Sequence, residues 1–196
     1  MKIIFLDIDG VMNSELLYRA RHKKRWFTLN HYTWRIRKWF KYIINGFEHK
    51  GVSLVNYKTP KRRTTYKYLF NRIKDSSCPL KWKWLSDLCN EHDIKICISS
   101  VWKNHFKNPM LWKTALIDLG FNPNVFVGIT GERRSCRGEE IQDWLNQRKG
   151  EIEYVIIDDD SDMLDEQKPN FFQTDPYVGL TPTTLYKIRR HFKITG

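Results

Sequence analysis

Cysteine is sparse and unpaired in this chain. Cys78, Cys89, Cys97 and Cys136 form no CxxC motif, so neither a zinc site nor a disulfide framework is indicated. Long apolar runs are missing too: no stretch reaches the roughly 20 residues that cross a bilayer, and nothing resembles a secretory leader. A cytoplasmic, intracellular protein with no membrane span is therefore expected. Internal repeats and low-complexity linkers are lacking, and the six histidines are scattered, with His92 and His105 reading as surface or loop residues. With 196 residues the chain suits one sizeable core.

Acidic residues are nearly missing from one segment. Residues 14–78 hold 17 Lys and Arg against only Glu15, Glu48 and Asp75, a net +14, while the whole chain carries +12, so the remainder is −2. All the excess positive charge is in this stretch. Ile36, Trp39, Phe40, Ile43, Ile44 and Phe47 fall on one face of a helix, opposite Arg35, Arg37, Lys38 and Lys41. One reading is a helix that packs its stripe on a core and leaves a solvated basic face. Concentrated positive charge also raises the local concentration of polyanions, and Arg62 and Arg63 are candidate contacts. Trp26, Phe27, Tyr32, Trp34, Tyr57 and Tyr66 are interleaved with the charges; some suit base stacking, others a small core of their own. Runs such as RARHKKRW and KTPKRRTTYKY also suit an electrostatic anchor at a membrane surface.

Chemistry is concentrated outside this segment. Ile3, Ile4, Phe5 and Leu6 show no polar alternation, as expected of a parallel strand buried on both faces, and the run ends in Asp7, Asp9 and Gly10. Ligands bind at the carboxyl ends of such strands. Two residues apart on extended chain, Asp7 and Asp9 can point the same way, which suits a nucleophile with a nearby proton donor, while Gly10 allows a sharp turn beside a ligand. A strand followed by a plain Asp/Gly turn is the alternative. Tyr154 to Ile157 form a second such run, emptying into Asp158, Asp159, Asp160 and Asp162. Carboxylates this dense repel one another unless a cation sits among them, and hard oxygen donors favour Mg²⁺; a solvated acidic turn is the alternative. A third run, Ile94 to Ile98, ends in Ser99 and Ser100, followed by Trp102 and Lys103; hydroxyl and backbone N–H groups at such a strand end can hold phosphate oxygens.

The spacing predicts strands near 2–7, 94–98, 125–129, 153–158 and 170–174. Leu80, Trp84, Leu85 and Leu88 repeat at helical spacing, as do Leu111, Ala115, Leu116 and Leu119, and Ile141, Trp144 and Leu145. Thr181-Pro182 reads as an N-cap with proline in the first helical position, opening a last helix to about His191. Alternation of helices with apolar strands implies right-handed crossovers and a parallel sheet, with Asp7, Ser99, Thr130, Asp158 and Thr174 on one edge.

In combination FLDIDGVMN, ISS and IIDDDSD resemble the motifs of the haloacid dehalogenase-like (HAD) phosphohydrolase superfamily, in that family's order. More narrowly, ISSVWK, RGEEIQDWL, YVIIDDDSDM and FFQTDPYVGLT look like the small HAD domain of "Swiss Army Knife" RNA-repair proteins. The resemblance covers residues 1–13 and about 80–185. It implies an α/β, three-layer Rossmannoid fold with a central parallel sheet, a core of residues 1–13 and 79–196, and a basic, largely helical cap at 14–78.

It also implies roles. Asp7 would be the nucleophile that forms an aspartyl-phosphate, and Asp9 would protonate the leaving oxygen and later activate water. Ser99 would hydrogen-bond the phosphoryl group, with Gly10, Ser100 and Lys103 as further substrate contacts. Arg137 stands where the family usually has lysine, with Arg133 and Arg134 close by. Mg²⁺ would be held by Asp7, the backbone carbonyl of Asp9, and Asp158 or Asp159, the family's Gly-Asp being Asp-Asp here; Asp162 would support them. The expected activity is a Mg²⁺-dependent phosphatase acting on nucleotides or on DNA or RNA end phosphates. The alternatives are a nucleic-acid-binding protein on the same fold with little catalysis, and a small-metabolite phosphatase.

Overall fold

A computed structural model describes residues 1–17, 66–131 and 135–194. Five strands form one sheet: β1 (Lys2–Leu6), β2 (Lys95–Ile98), β3 (Phe126–Ile129), β4 (Glu153–Asp158) and β5 (Phe171–Gln173). Their order is β3-β2-β1-β4-β5 and every pairing is parallel. The described helices are α1 (Tyr66–Ser76), α2 (Pro79–Glu91), α3 (Pro109–Asp118), α4 (Arg137–Asn146) and α5 (Pro182–His191). Proline occupies the start of α2, α3 and α5, where its missing N–H costs no helical hydrogen bond. Thr181 caps α5, its hydroxyl accepting from the Thr184 N–H at 3.1 Å.

Both faces of β1 are covered, which explains its unalternated sequence. Ile4 and Leu6 join a core built with α1, α2, α3 and α5, including Leu69, Ile73, Leu85, Trp112 and Ile188. Ile3 and Phe5 face the other way, onto Ile141 and Trp144 of α4. The result is the three-layer α/β arrangement of helices, parallel sheet and helix. Each fully buried aliphatic or aromatic side chain contributes about 1.5–3 kcal/mol.

One helical stripe differs from its sequence reading. Leu80 is 51% exposed, whereas Lys81 is buried beside Trp82, Leu85 and Leu88. The lysine is tolerated because its ammonium donates to the backbone carbonyls of Val11 (3.2 Å) and Val178 (2.6 Å). It ties α2 to the turn that follows β1.

Of the basic segment 14–78, residues 14–17 and 66–78 are described. The N–H groups of Glu15 and Leu16 donate to the carbonyls of Pro176 and Tyr177, and α1 buries Leu69 and Ile73 in the main core. Residues 18–65, which contain Arg62, Arg63 and the amphipathic stretch at 36–47, lie outside the described residues. Among the described residues no helix is long and apolar enough to cross a membrane.

Candidate active site

Backbone pairing continues one residue past the strands at their carboxyl ends. Thr130 N–H donates to Ile98, Ser99 to Leu6, Asp7 to Ile157 and Thr174 to Asp158, all at 2.9–3.0 Å. This extended ladder sets Thr130, Ser99, Asp7, Asp158 and Thr174 in a row along one edge.

Three carboxylates converge there. One oxygen from each of Asp7, Asp158 and Asp159 lies within 4.8 Å of the others. Asp7 is 4% exposed and Asp158 fully buried. Burial, with the Asp7 charge next in weight, pushes the Asp158 carboxyl up to about 7. Burial also raises Asp7, partly offset by the Arg137 guanidinium and by a hydrogen bond from the Ser100 hydroxyl. Asp158 Oδ1 accepts from the Asp160 N–H at 3.0 Å, but Oδ2 has no hydrogen-bond partner. An all-carboxylate donor set with a buried oxygen that accepts no hydrogen bond fits a hard divalent cation such as Mg²⁺.

Arg137 reaches this group. Its Nη1 lies 3.4 Å from Asp7 Oδ1 and its Nε 3.5 Å from Asp158 Oδ2, and Nη1 also donates to the Ser99 carbonyl. The side chain is aimed by the start of α4. There the Arg137 N–H donates to Asp162 Oδ2 (3.0 Å) and the Gly138 N–H to the Asp162 carbonyl (3.1 Å). Gly138 packs so closely on the next loop that a Cβ would sit 2.7 Å from Gln167 Oε1, and Gln167 in turn donates to the Gly138 carbonyl. Asp162 thus acts through the helix terminus. Arg133 and Arg134 lie outside the described residues.

Asp9 is exposed at the mouth of the site. Asn13 Nδ2 donates to its Oδ1 (2.6 Å) and Trp102 Nε1 to its Oδ2 (2.9 Å). Asn13 Oδ1 meanwhile accepts from the Gly10 N–H at 2.9 Å. Gly10 has φ +67°, and a Cβ there would overlap the Asp159 carboxylate, so the turn needs glycine for both conformation and space. Thr174 donates its hydroxyl to the Gly10 carbonyl (3.0 Å), pinning the turn from β5.

Ser99 and Ser100 follow β2, both fully buried, and the Ser99 hydroxyl has no hydrogen-bond partner. Lys103 has partners within the protein. Its ammonium pairs with the buried Glu140 carboxylate and donates to the Ser99 carbonyl at 3.2 Å. Lys103 is as buried as Arg137, each 3% exposed. Thr130 shares the same Glu140 oxygen at 3.4 Å.

The model of the HAD domain in Swiss Army Knife RNA repair proteins matches residues 3–185. The chain belongs to this family. No curated protein and no solved structure matches it. As a HAD domain it is a member of a phosphohydrolase superfamily, and its five-stranded parallel sheet accords with that fold.

The strand-end acids and Arg137 of this HAD domain come together as their positions in the sequence suggest. Asn13 and Glu140 enter the site with no motif pointing to them, and Trp102 and Thr174, near the strand ends, make hydrogen bonds that the sequence does not show. Asn13 carries a signal in hindsight, since a side-chain amide three residues after Gly10 can close the turn on its N–H. The other three depend on contacts far apart in the chain.

Proposed function

We propose that this HAD domain is a Mg²⁺-dependent phosphatase that works through an aspartyl-phosphate on Asp7 and takes nucleotides or the phosphorylated ends of nucleic acid. The observation that carries the reading is the convergence of Asp7, Asp158 and Arg137. A carboxylate nucleophile at the strand end lies beside a guanidinium able to neutralise phosphoryl oxygens, with further acid groups to hold a cation.

Asp7 would attack phosphorus while the bond to the leaving oxygen breaks, and Asp9 would supply the proton that oxygen takes. Asp9 would then accept a proton from the water that attacks phosphorus, releasing phosphate and restoring Asp7. Arg137 and the Ser99 hydroxyl would hold the phosphoryl oxygens. Asp7, Asp158 and Asp159, with the Asp9 backbone carbonyl, would hold Mg²⁺, which offsets negative charge on the phosphoryl group. The net +14 of residues 14–78 and the RNA-repair setting named for the family support a nucleotide or nucleic-acid substrate.

The test is phosphate release from nucleoside monophosphates and from 5′- and 3′-phosphorylated DNA and RNA oligonucleotides, with Mg²⁺ or with chelator. Mg²⁺-dependent release that is lost in Asp7→Asn supports the reading. A folded wild type that binds oligonucleotides in a salt-sensitive way but releases no phosphate replaces it with a binding role.

A further inference from the structure

We infer that Trp102 is the positioning residue of the proton-transferring carboxylate Asp9, a role that rests on the phosphatase reading above. Trp102 is 3% exposed and is the second residue of the short 3-10 turn Val101–Asn104, which follows Ser99 and Ser100 after β2. Its N–H group is itself held by Ser100 Oγ, at 3.4 Å. From there the indole Nε1 crosses to the end of β1 and donates to Asp9 Oδ2 at 2.9 Å. The guanidinium of Arg72, from α1, lies over the indole ring, 4.5 Å from its centroid. The indole is thus held over its face by an arginine and at its edge by Asp9.

Asp9 is exposed, so packing alone does not fix its rotamer. Two donors do: Asn13 takes Oδ1 and Trp102 takes Oδ2, leaving one lone-pair direction on each oxygen for a proton or substrate. Asn13 belongs to the same turn as Asp9. Trp102 comes from another strand end, next to Ser99, and so registers the proton donor against the phosphoryl pocket. When the leaving oxygen takes the Asp9 proton, the carboxylate left behind keeps both donors, and the charge-assisted bond from Nε1 stabilises it.

The test separates this role from ordinary packing by varying the leaving group. A nucleoside monophosphate expels an alkoxide that needs a proton, whereas p-nitrophenyl phosphate expels a phenolate that does not. Trp102→Phe should lower kcat/KM on the nucleotide by at least about tenfold, with less than about threefold change on the aryl ester. In an Asp9→Asn background the same substitution should add no further loss on the nucleotide, because both act through one proton. Should Trp102→Phe fail to fold, site-specific benzothienylalanine at position 102 keeps the ring shape and deletes only the N–H. Equal losses on both esters, no loss on either, or a full additional loss on Asp9→Asn would overturn the role of Trp102 while leaving the phosphatase reading intact. Absence of Mg²⁺-dependent release by wild type from both esters would overturn that reading and this role with it.

Discussion

Asp7 and Asp158 end neighbouring strands, and a single guanidinium, that of Arg137, lies 3.4 Å from one carboxylate and 3.5 Å from the other. With Asp159 alongside, and the Lys103 charge matched by Glu140, the cluster holds more negative than positive charge. A divalent cation is the natural complement.

Stability should report this directly. Asp158 sits at about 7 in the folded protein against an ordinary 3.8. A raised carboxylate destabilises the fold fully above pH 7, and the penalty fades as pH falls from 7 towards 4. In chelator, Tm should therefore gain from this group between pH 8 and pH 5. Saturating Mg²⁺ should flatten that gain, and Asp158→Asn should remove it. Differential scanning fluorimetry across pH checks this, and an unchanged slope with Mg²⁺ would exclude metal at Asp158.

Gly10→Ala should be costly in two ways. The φ of +67° strains any L side chain by about 1–2 kcal/mol, and the added methyl displaces the Asp159 carboxylate. Urea unfolding should show a loss of at least that size, and Mg²⁺ affinity from calorimetry should fall. Combining Gly10→Ala with Asp159→Gly should recover part of the stability but not the affinity.

The sheet was legible because physics wrote it locally. A parallel strand covered on both faces must be apolar at successive positions, so Ile3–Leu6 and Val155–Ile157 stand out, and the carboxylates that follow them fall on the ligand edge. The face of α2 was misread at one position, since a lysine whose amine finds two carbonyls can bury its stem where Leu80 was expected. Trp102 and Glu140 were illegible for another reason. Their partners, Asp9 and Lys103, lie 93 and 37 residues away, and local periodicity carries no record of such pairs.

Lys103 and Glu140 provide a check on that last point. Removing one partner of a buried pair strands the other, so Glu140→Ala should cost about 3–5 kcal/mol in urea unfolding. The double replacement Lys103→Met with Glu140→Leu should cost less than Glu140→Ala alone. A larger loss in the double variant would mean that the two charges serve something other than each other.

The most direct test of the central claim is to trap the covalent intermediate. Wild-type protein turning over a phosphorylated substrate with Mg²⁺ is quenched with borohydride, which reduces an aspartyl-phosphate to homoserine, and the modified residue is located by mass spectrometry. Homoserine at position 7, absent without Mg²⁺ or without substrate, is the predicted result. Phosphate release at full rate with no modification at Asp7, or modification at another carboxylate, would contradict it.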